Sequence, residues 1–277
     1  MKSTLPFVAL LAFAICIHSC KKTKTPDPTL TNPKKKYLSQ SIQIFQGATF
    51  ITTYTYDSQK RLASVKRNTS TSPVTTTYSY DGSNRLIGTE QTLTSEGVVW
   101  RTVTTISYDE SNVHQNVKIY GGNDLNKEIN TDYVFEGDKI KETHSDNGVV
   151  NISTYDANGN AIKSESNSGY TTVSTYTDKK NPAKRFTTPG IYSSPSPNLI
   201  ASTVTTTSQS KMTTIYTYTF DAKGYVSTVF ADQDLDDHND ITTTYAYDED
   251  GYVTAESLEY TNGSVANTKY AYTYVEL

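Results

Sequence analysis

A tyrosine, a spacer, a second aromatic and then an acid recur along this chain, and that spacing leaves few folds open. The clearest copies are Tyr54-Thr55-Tyr56-Asp57, Tyr78-Ser79-Tyr80-Asp81 and Tyr245-Ala246-Tyr247-Asp248. Looser copies are Ile106-Ser107-Tyr108-Asp109, Tyr133-Val134-Phe135-Glu136, Ser153-Thr154-Tyr155-Asp156 and Tyr218-Thr219-Phe220-Asp221. Ser174-Thr175-Tyr176 and Tyr270-Ala271-Tyr272 complete the series. The acids stand at 57, 81, 109, 136, 156, 221 and 248, with gaps of 24, 28, 27, 20, 65 and 27. One repeat is therefore about two strands and two turns long, and a period of this length signals a repeat architecture.

Each copy makes sense as half of a hairpin. Tyr-x-Tyr puts two aromatics on one face of a strand and Thr, Ser or Ala on the other. Thr and Tyr are also strand-favouring types. The turn follows, seen best at Asp156 to Gly159, Asp221 to Gly224 and Asp248 to Gly251. Its first-position Asp can accept hydrogen bonds from the backbone N–H groups just ahead, and its Gly takes the positive φ of a type I turn plus bulge. Leu62, Leu86, Ile162, Val226 and Val253 then start the return strands.

No segment after residue 37 shows helical apolar spacing over three turns, and Thr-rich runs such as Thr203 to Thr207 disfavour a helix further. Turn signals divide the chain into roughly 18 strands. The rhythm breaks from Asp178 to Leu199, which holds four of the nine prolines: Pro182, Pro189, Pro195 and Pro197. Proline cannot sit in a central strand, so a long irregular insert is expected at about 178–199.

The first residues are not fold. Met1-Lys2 is followed by an apolar run from Leu5 to Ile17, too short to span a bilayer as a helix but suited to a secretory signal. Ile17-His18-Ser19-Cys20 resembles a lipobox. The resemblance implies a lipoprotein signal peptide over 1–19 and a diacylated, palmitate-type anchor on Cys20. Both cysteines, Cys16 and Cys20, lie here, so the exported part carries no thiol for a disulfide, a nucleophile or a metal. Residues 20–36 hold six lysines and Pro26, Pro28 and Pro33 with no apolar period, which reads as a tether. Residues 37–277 suffice for one domain with a sizeable core. Net charge is −4 with dispersed basic residues, which argues against nucleic acid.

Tyr78-Ser79-Tyr80-Asp81-Gly82-Ser83-Asn84-Arg85-Leu86 resembles the YD, or RHS-type, repeat, and the resemblance covers most of 37–277. It implies one spiralling antiparallel sheet around a hollow. In scale the chain is more similar to a group of small YD-repeat lipoproteins of unknown function, some assigned a porin-like barrel. That implies a large curled or closed sheet and no activity. The expected fold is thus all-β, an antiparallel up-and-down meander of YD hairpin repeats curled into a large barrel-like sheet. On the strand Thr213 to Asp221 one face reads Tyr216, Tyr218, Phe220 and the other Ile215, Thr217, Thr219. Neither is the lipid-facing band of a spanning barrel, and burying the tyrosine face is worth too much to forgo.

Candidate chemistry is sparse. Asp57, Asp81, Asp109, Asp156 and Asp248 could serve as paired carboxylates for glycoside hydrolysis, but their fixed place before a turn explains them structurally. His114, His144 and His238 fall at unrelated repeat positions, and no nucleophile, zinc or phosphate-loop motif occurs. Asp232, Asp234, Asp236 and Asp240 have the spacing of a calcium loop, although Asp237 replaces the turn glycine and Thr243 the final Glu. Trp100 is either a wall residue or part of a sugar-stacking platform. The sequence therefore points to a non-enzymatic envelope module that is structural or binds a glycan or envelope protein. A carbohydrate-active enzyme and a barrel carrying an apolar ligand are the alternatives. Lys21-Lys22 after Cys20 lacks the aspartate linked to inner-membrane retention, which implies the periplasmic face of the outer membrane.

Overall fold

The computed structural model describes residues 35–68, 72–109, 112–180, 196–233, 240–261 and 268–277. Cys20 and the rest of 1–34 lie outside the described residues. Lys35–Leu277 forms one unit. Its strands are β1 (Tyr37–Phe45), β2 (Ala48–Tyr56), β3 (Leu62–Asn68), β4 (Val74–Tyr80), β5 (Leu86–Ser95), β6 (Val98–Tyr108), β7 (Asn112–Gly121), β8 (Asp124–Glu136) and β9 (Lys139–His144). They continue as β10 (Val150–Tyr155), β11 (Ala161–Ser166), β12 (Tyr170–Lys180), β13 (Asn198–Thr206), β14 (Lys211–Phe220), β15 (Val226–Asp232), β16 (Ile241–Tyr247), β17 (Val253–Tyr260) and β18 (Thr268–Val275). Every strand pairs antiparallel with the next, and β1 pairs with β18. The expected meander is therefore a closed barrel of 18 strands.

Because the meander alternates direction, the ends of the even strands and the starts of the odd strands lie at one rim. They include the start of β1 and the end of β18. The turns repeat one set of bonds. Asp57 Oδ1 accepts the N–H groups of Gln59 and Arg61, each at 2.9 Å. Asp81, Asp156, Asp221 and Asp248 do the same for the residues two and four ahead. The left-handed position falls on Gly159, Gly224 and Gly251, with φ of 83°, 84° and 82°. Gly251 is doubly constrained, because a Cβ there would also collide with the Tyr225 ring.

The recurrent tyrosine works at this same rim. Backbone pairing between β3 and β4 stops at Ser64↔Thr77, two residues short of the turn. The Leu62 carbonyl thus faces β4 with no N–H opposite, and the Tyr80 hydroxyl donates to it at 2.8 Å. The same wedge recurs as Tyr56 to Leu38, Tyr108 to Leu86, Tyr176 to Ala161, Tyr218 to Ile200, Tyr247 to Val226 and Tyr274 to Val253, all at 2.7–2.9 Å. Each acceptor lies at or near the start of an odd strand and each donor at or near the end of the even strand after it. Leu38, Leu62, Leu86, Val113, Leu199, Val226 and Val253 are buried, so the apolar core is a ring just inside this rim.

The turns also lock onto the next repeat. The Arg61 guanidinium bonds Asp57 at 2.7 Å and lies 4.6 Å from the Tyr80 ring centre; Arg85 does the same between Asp81 and Tyr108. Where the arginine is replaced, a ring takes its place: Tyr225 packs on Tyr247 at 5.0 Å and Tyr252 on Tyr274 at 5.1 Å. Tyr37 on Tyr56 at 5.2 Å shows that β1 begins in the same phase. Between β10 and β11 the position is Asn160, 1% exposed. Its Nδ2 donates to Asp156, and its Oδ1 accepts the Asn198 N–H. Asn198 Nδ2 in turn donates to the Thr177 carbonyl. This clamp carries β12 through Lys180 and starts β13 at Asn198, so regular structure intrudes on both ends of the stretch expected to be irregular.

The register keeps one face on the same side all the way round. The less exposed side, which a closed barrel turns inward, carries Tyr54, Tyr78, Tyr216, Tyr218, Tyr245, Tyr270 and Tyr272, as the sequence implied. The outward side carries Thr and Ser, with cross-strand bonds at Thr55–Ser64, Thr175–Ser202 and Thr219–Ser227, each 2.8 Å. Lys66, Glu90, Arg101, Lys118, Glu128, Lys163 and Glu165 are outward too, so the outer wall has no continuous apolar band. Outward Ile44, Ile51, Val99, Val173 and Ile215 stand among them, with Ile51 opposite Ile42.

Tyr80→Phe should strand the Leu62 carbonyl and cost about 1–2 kcal/mol in urea unfolding, whereas the outward Ser79→Ala should stay within about 0.5 kcal/mol. Burial raises the hydroxyl pKa of Tyr78, Tyr80 and Tyr108, and it pushes Tyr56 and Tyr218 up to about 12. A raised folded-state value gives stability that is complete below the ordinary tyrosine value and lost as pH rises through the folded one. Tyrosinate absorbance should therefore show a late fraction that ionises together with loss of β-sheet circular dichroism, between about pH 10 and 12.

Candidate binding site in the barrel lumen

Eighteen strands enclose more room than side chains of one wall can fill. Packing is tightest at the tyrosine rim. Toward the opposite rim the inward residues Val98, Trp100 and Met212 are 42–48% exposed. The inner wall of β13 to β16 holds a cavity of about 240 Å³ lined by Tyr216, Tyr218, Tyr245, Tyr247 and Val229, with Ser196 and Asn198 at its edge. Its surface is aromatic with a few polar groups, the usual make-up of a small-molecule site.

A second sector, on β8 to β10, is polar. Glu142 and His144 sit two residues apart on β9 and face inward beside Tyr133 and Thr131 of β8. His144 Nε2 lies 3.2 Å from Glu142 Oε1, and Asn151 Nδ2 donates to Glu142 Oε2 at 3.2 Å. Thr131 Oγ1 is 3.2 Å from His144 Nδ1, and the Tyr133 hydroxyl donates to Gln115 Oε1 at 3.0 Å. Burial first, then the neighbouring Glu142 carboxylate, raises the Tyr133 pKa well above the ordinary value. A second inward group joins Arg67 to Gln43 at 2.8 Å and Gln43 to the Tyr270 hydroxyl at 3.0 Å.

The turn aspartates lie at the tyrosine rim, each bonded within its own turn, and are not brought together as a catalytic pair. Of the inward carboxylates, Glu142 on β9 and Glu256 on β17 are eight strands apart in the ring, and Asp124 stands at the far end of β8, nine residues from the Tyr133 that pairs with Glu142. Those separations do not offer the two close carboxylates of glycoside hydrolysis. Of the expected calcium residues, Asp234 and Asp236 lie outside the described residues. Asp232 faces outward at the end of β15, and Asp240 accepts the Gln233 N–H at 2.6 Å. No group of three or more His, Cys, Asp or Glu among the described residues is placed to hold a metal.

His114 is outward, held 2.6 Å from Asp132 and 3.1 Å from Asp109, and these two bonds raise its pKa above the ordinary value. His238 lies outside the described residues. Trp100 faces inward near the far rim, its ring against Gly121 of the adjacent strand, where a Cβ would come within 3.1 Å of it. The Glu142–His144 cluster escaped the sequence reading. The available signal was parity: both residues share the face of Ile140 and Tyr133, but the degenerate repeat there hid which face is inner.

No family model matches the sequence, and no curated protein does. Among solved structures, the chain is similar to a porin-like protein from Bacteroides vulgatus, with TM-score 0.37 and 10% identity over 88% of this chain and 100% of that one. A porin-like protein from Bacteroides uniformis gives TM-score 0.31 and 18% identity over 88% and 99%. A β-barrel-like protein of a domain of unknown function from Brucella abortus gives TM-score 0.26 and 9% identity over 86% and 95%.

Proposed function

We propose that this chain is a lipid-anchored, non-enzymatic binding module of the cell envelope, whose binding surface is the inside of the barrel. The observation that carries the reading is the division between the two faces of one closed sheet. The inner face gathers the aromatic rings and the Glu142–His144 cluster, while the outer face carries mixed Thr, Ser, Lys and Glu. Concave, aromatic and sparsely polar surfaces bind small ligands, and convex polar ones stay solvated. A spanning barrel has the reverse arrangement, with apolar groups outside. The anchor rests on the lipobox-like Ile17-His18-Ser19-Cys20, and the periplasmic face of the outer membrane on the residues after it. Two acyl chains would make the anchoring stable where one is marginal.

Two measurements test this. Cys20→Ala should move the protein from the detergent-extractable envelope fraction to the soluble fraction; an unchanged distribution would remove the anchor. For the binding surface, p-benzoylphenylalanine is placed in cells at inward Tyr245 or at its outward neighbour Thr244. Photolysis should give small-molecule adducts by mass spectrometry at 245 and not at 244. Adducts at neither position, or at 244 alone, would overturn the lumen as the binding surface.

A further inference from the structure

The wall of the barrel is not of even height. β9, β10 and β11 have six residues each, against 13 in β8. At the far rim β8 runs on past the end of β9, with Thr131 opposite His144, whereas β12 starts level with the end of β11, Tyr170 opposite Ser166, so the wall steps down from β8 to a low lip. The polar cluster sits on the inner side of this low wall. Asn151 is near the start of β10 and His144 is the last residue of β9, so both stand at the lip. Tyr170, the first residue of β12, flanks them, 37% exposed, and its hydroxyl donates to Asn151 Oδ1 at 3.4 Å.

We infer that this low lip is where a neutral oligosaccharide crosses the rim into the lumen, held by Glu142, His144 and Asn151 and stacked on Tyr170. The inference rests on the lumen being the binding surface. The ligand class follows from the groups present. A carboxylate has about four acceptor sites, and Glu142 meets His144 and Asn151 through one oxygen each, with the Tyr133 hydroxyl as a third neighbour. Donors and acceptors therefore alternate along the lip, which matches sugar hydroxyls, each of which both gives and takes a hydrogen bond. An apolar ligand would desolvate this cluster without replacing its bonds to water. An anion would meet the Glu142 carboxylate first. The tyrosine-lined cavity of β13 to β16 offers further rings for a chain that continues inward.

The test is isothermal titration of the full chain in detergent micelles with cellohexaose, maltohexaose, xylohexaose and mannohexaose in turn. At least one should bind, and Glu142→Gln and Tyr170→Ala should each weaken it by about tenfold, the loss of one good contact. The outward neighbour Thr143→Ala should leave affinity unchanged, and circular dichroism should show all three variants folded. No heat from any of the four sugars, or binding indifferent to both inward variants, would overturn the inference. If adducts still form at position 245, the lumen reading survives that failure; if they do not, both fall together.

Discussion

Everything in this barrel depends on how neighbouring strands part at one rim. A sheet that ends in turns must leave some carbonyls without a ladder partner, and leaving such a group buried and unpaired costs about 1–3 kcal/mol. Here a tyrosine near the end of β2, β4, β6, β12, β14, β16 and β18 reaches across the gap and caps a carbonyl near the start of the strand before it. One residue type thus satisfies the backbone, fills the wedge between diverging strands and supplies the ring on which the preceding turn's Arg or Tyr packs. The aspartate turn fixes the geometry from the other side, by holding the return strand in register.

This explains which parts of the molecule could be read from sequence. The hairpins, the strand number and the inward tyrosines all follow from local chemistry with a period of two, so they are visible in residues such as Tyr78, Tyr80 and Asp81. The closure of β1 on β18 is different. It depends on the summed twist and stagger of every strand, and no local pattern records it. Asn160 was equally hidden, because its partner Asn198 is recruited only after the proline-rich segment. The Glu142–His144 cluster lies where the repeat is weakest, with Phe135 and Glu136 in place of Tyr and Asp. Functional chemistry is expected where the structural pattern relaxes.

The two faces of the sheet divide the work of the protein. Tyrosines whose hydroxyls are committed to the backbone cannot swing, so the rings near the core rim form a fixed lining. Farther up, Tyr216, Tyr245 and Trp100 are less enclosed, and the polar lip of β9 and β10 interrupts the aromatic surface. A graded interior of this kind needs no moving part to admit a ligand. The outward threonines and serines bond to each other across strands and keep the convex side hydrated.

The pairing of β1 with β18 also governs how the chain comes to exist. Until β18 is in place, the growing sheet has two open edges, each a row of unpaired N–H and C=O groups ready to template another chain. The contacts that remove those edges join residues as far apart in sequence as Tyr37 and Val275, and such non-local closure is slow. Protection from aggregation therefore arrives in a single late step. A chain that lost β18 would not be a slightly smaller barrel but an open, adhesive sheet.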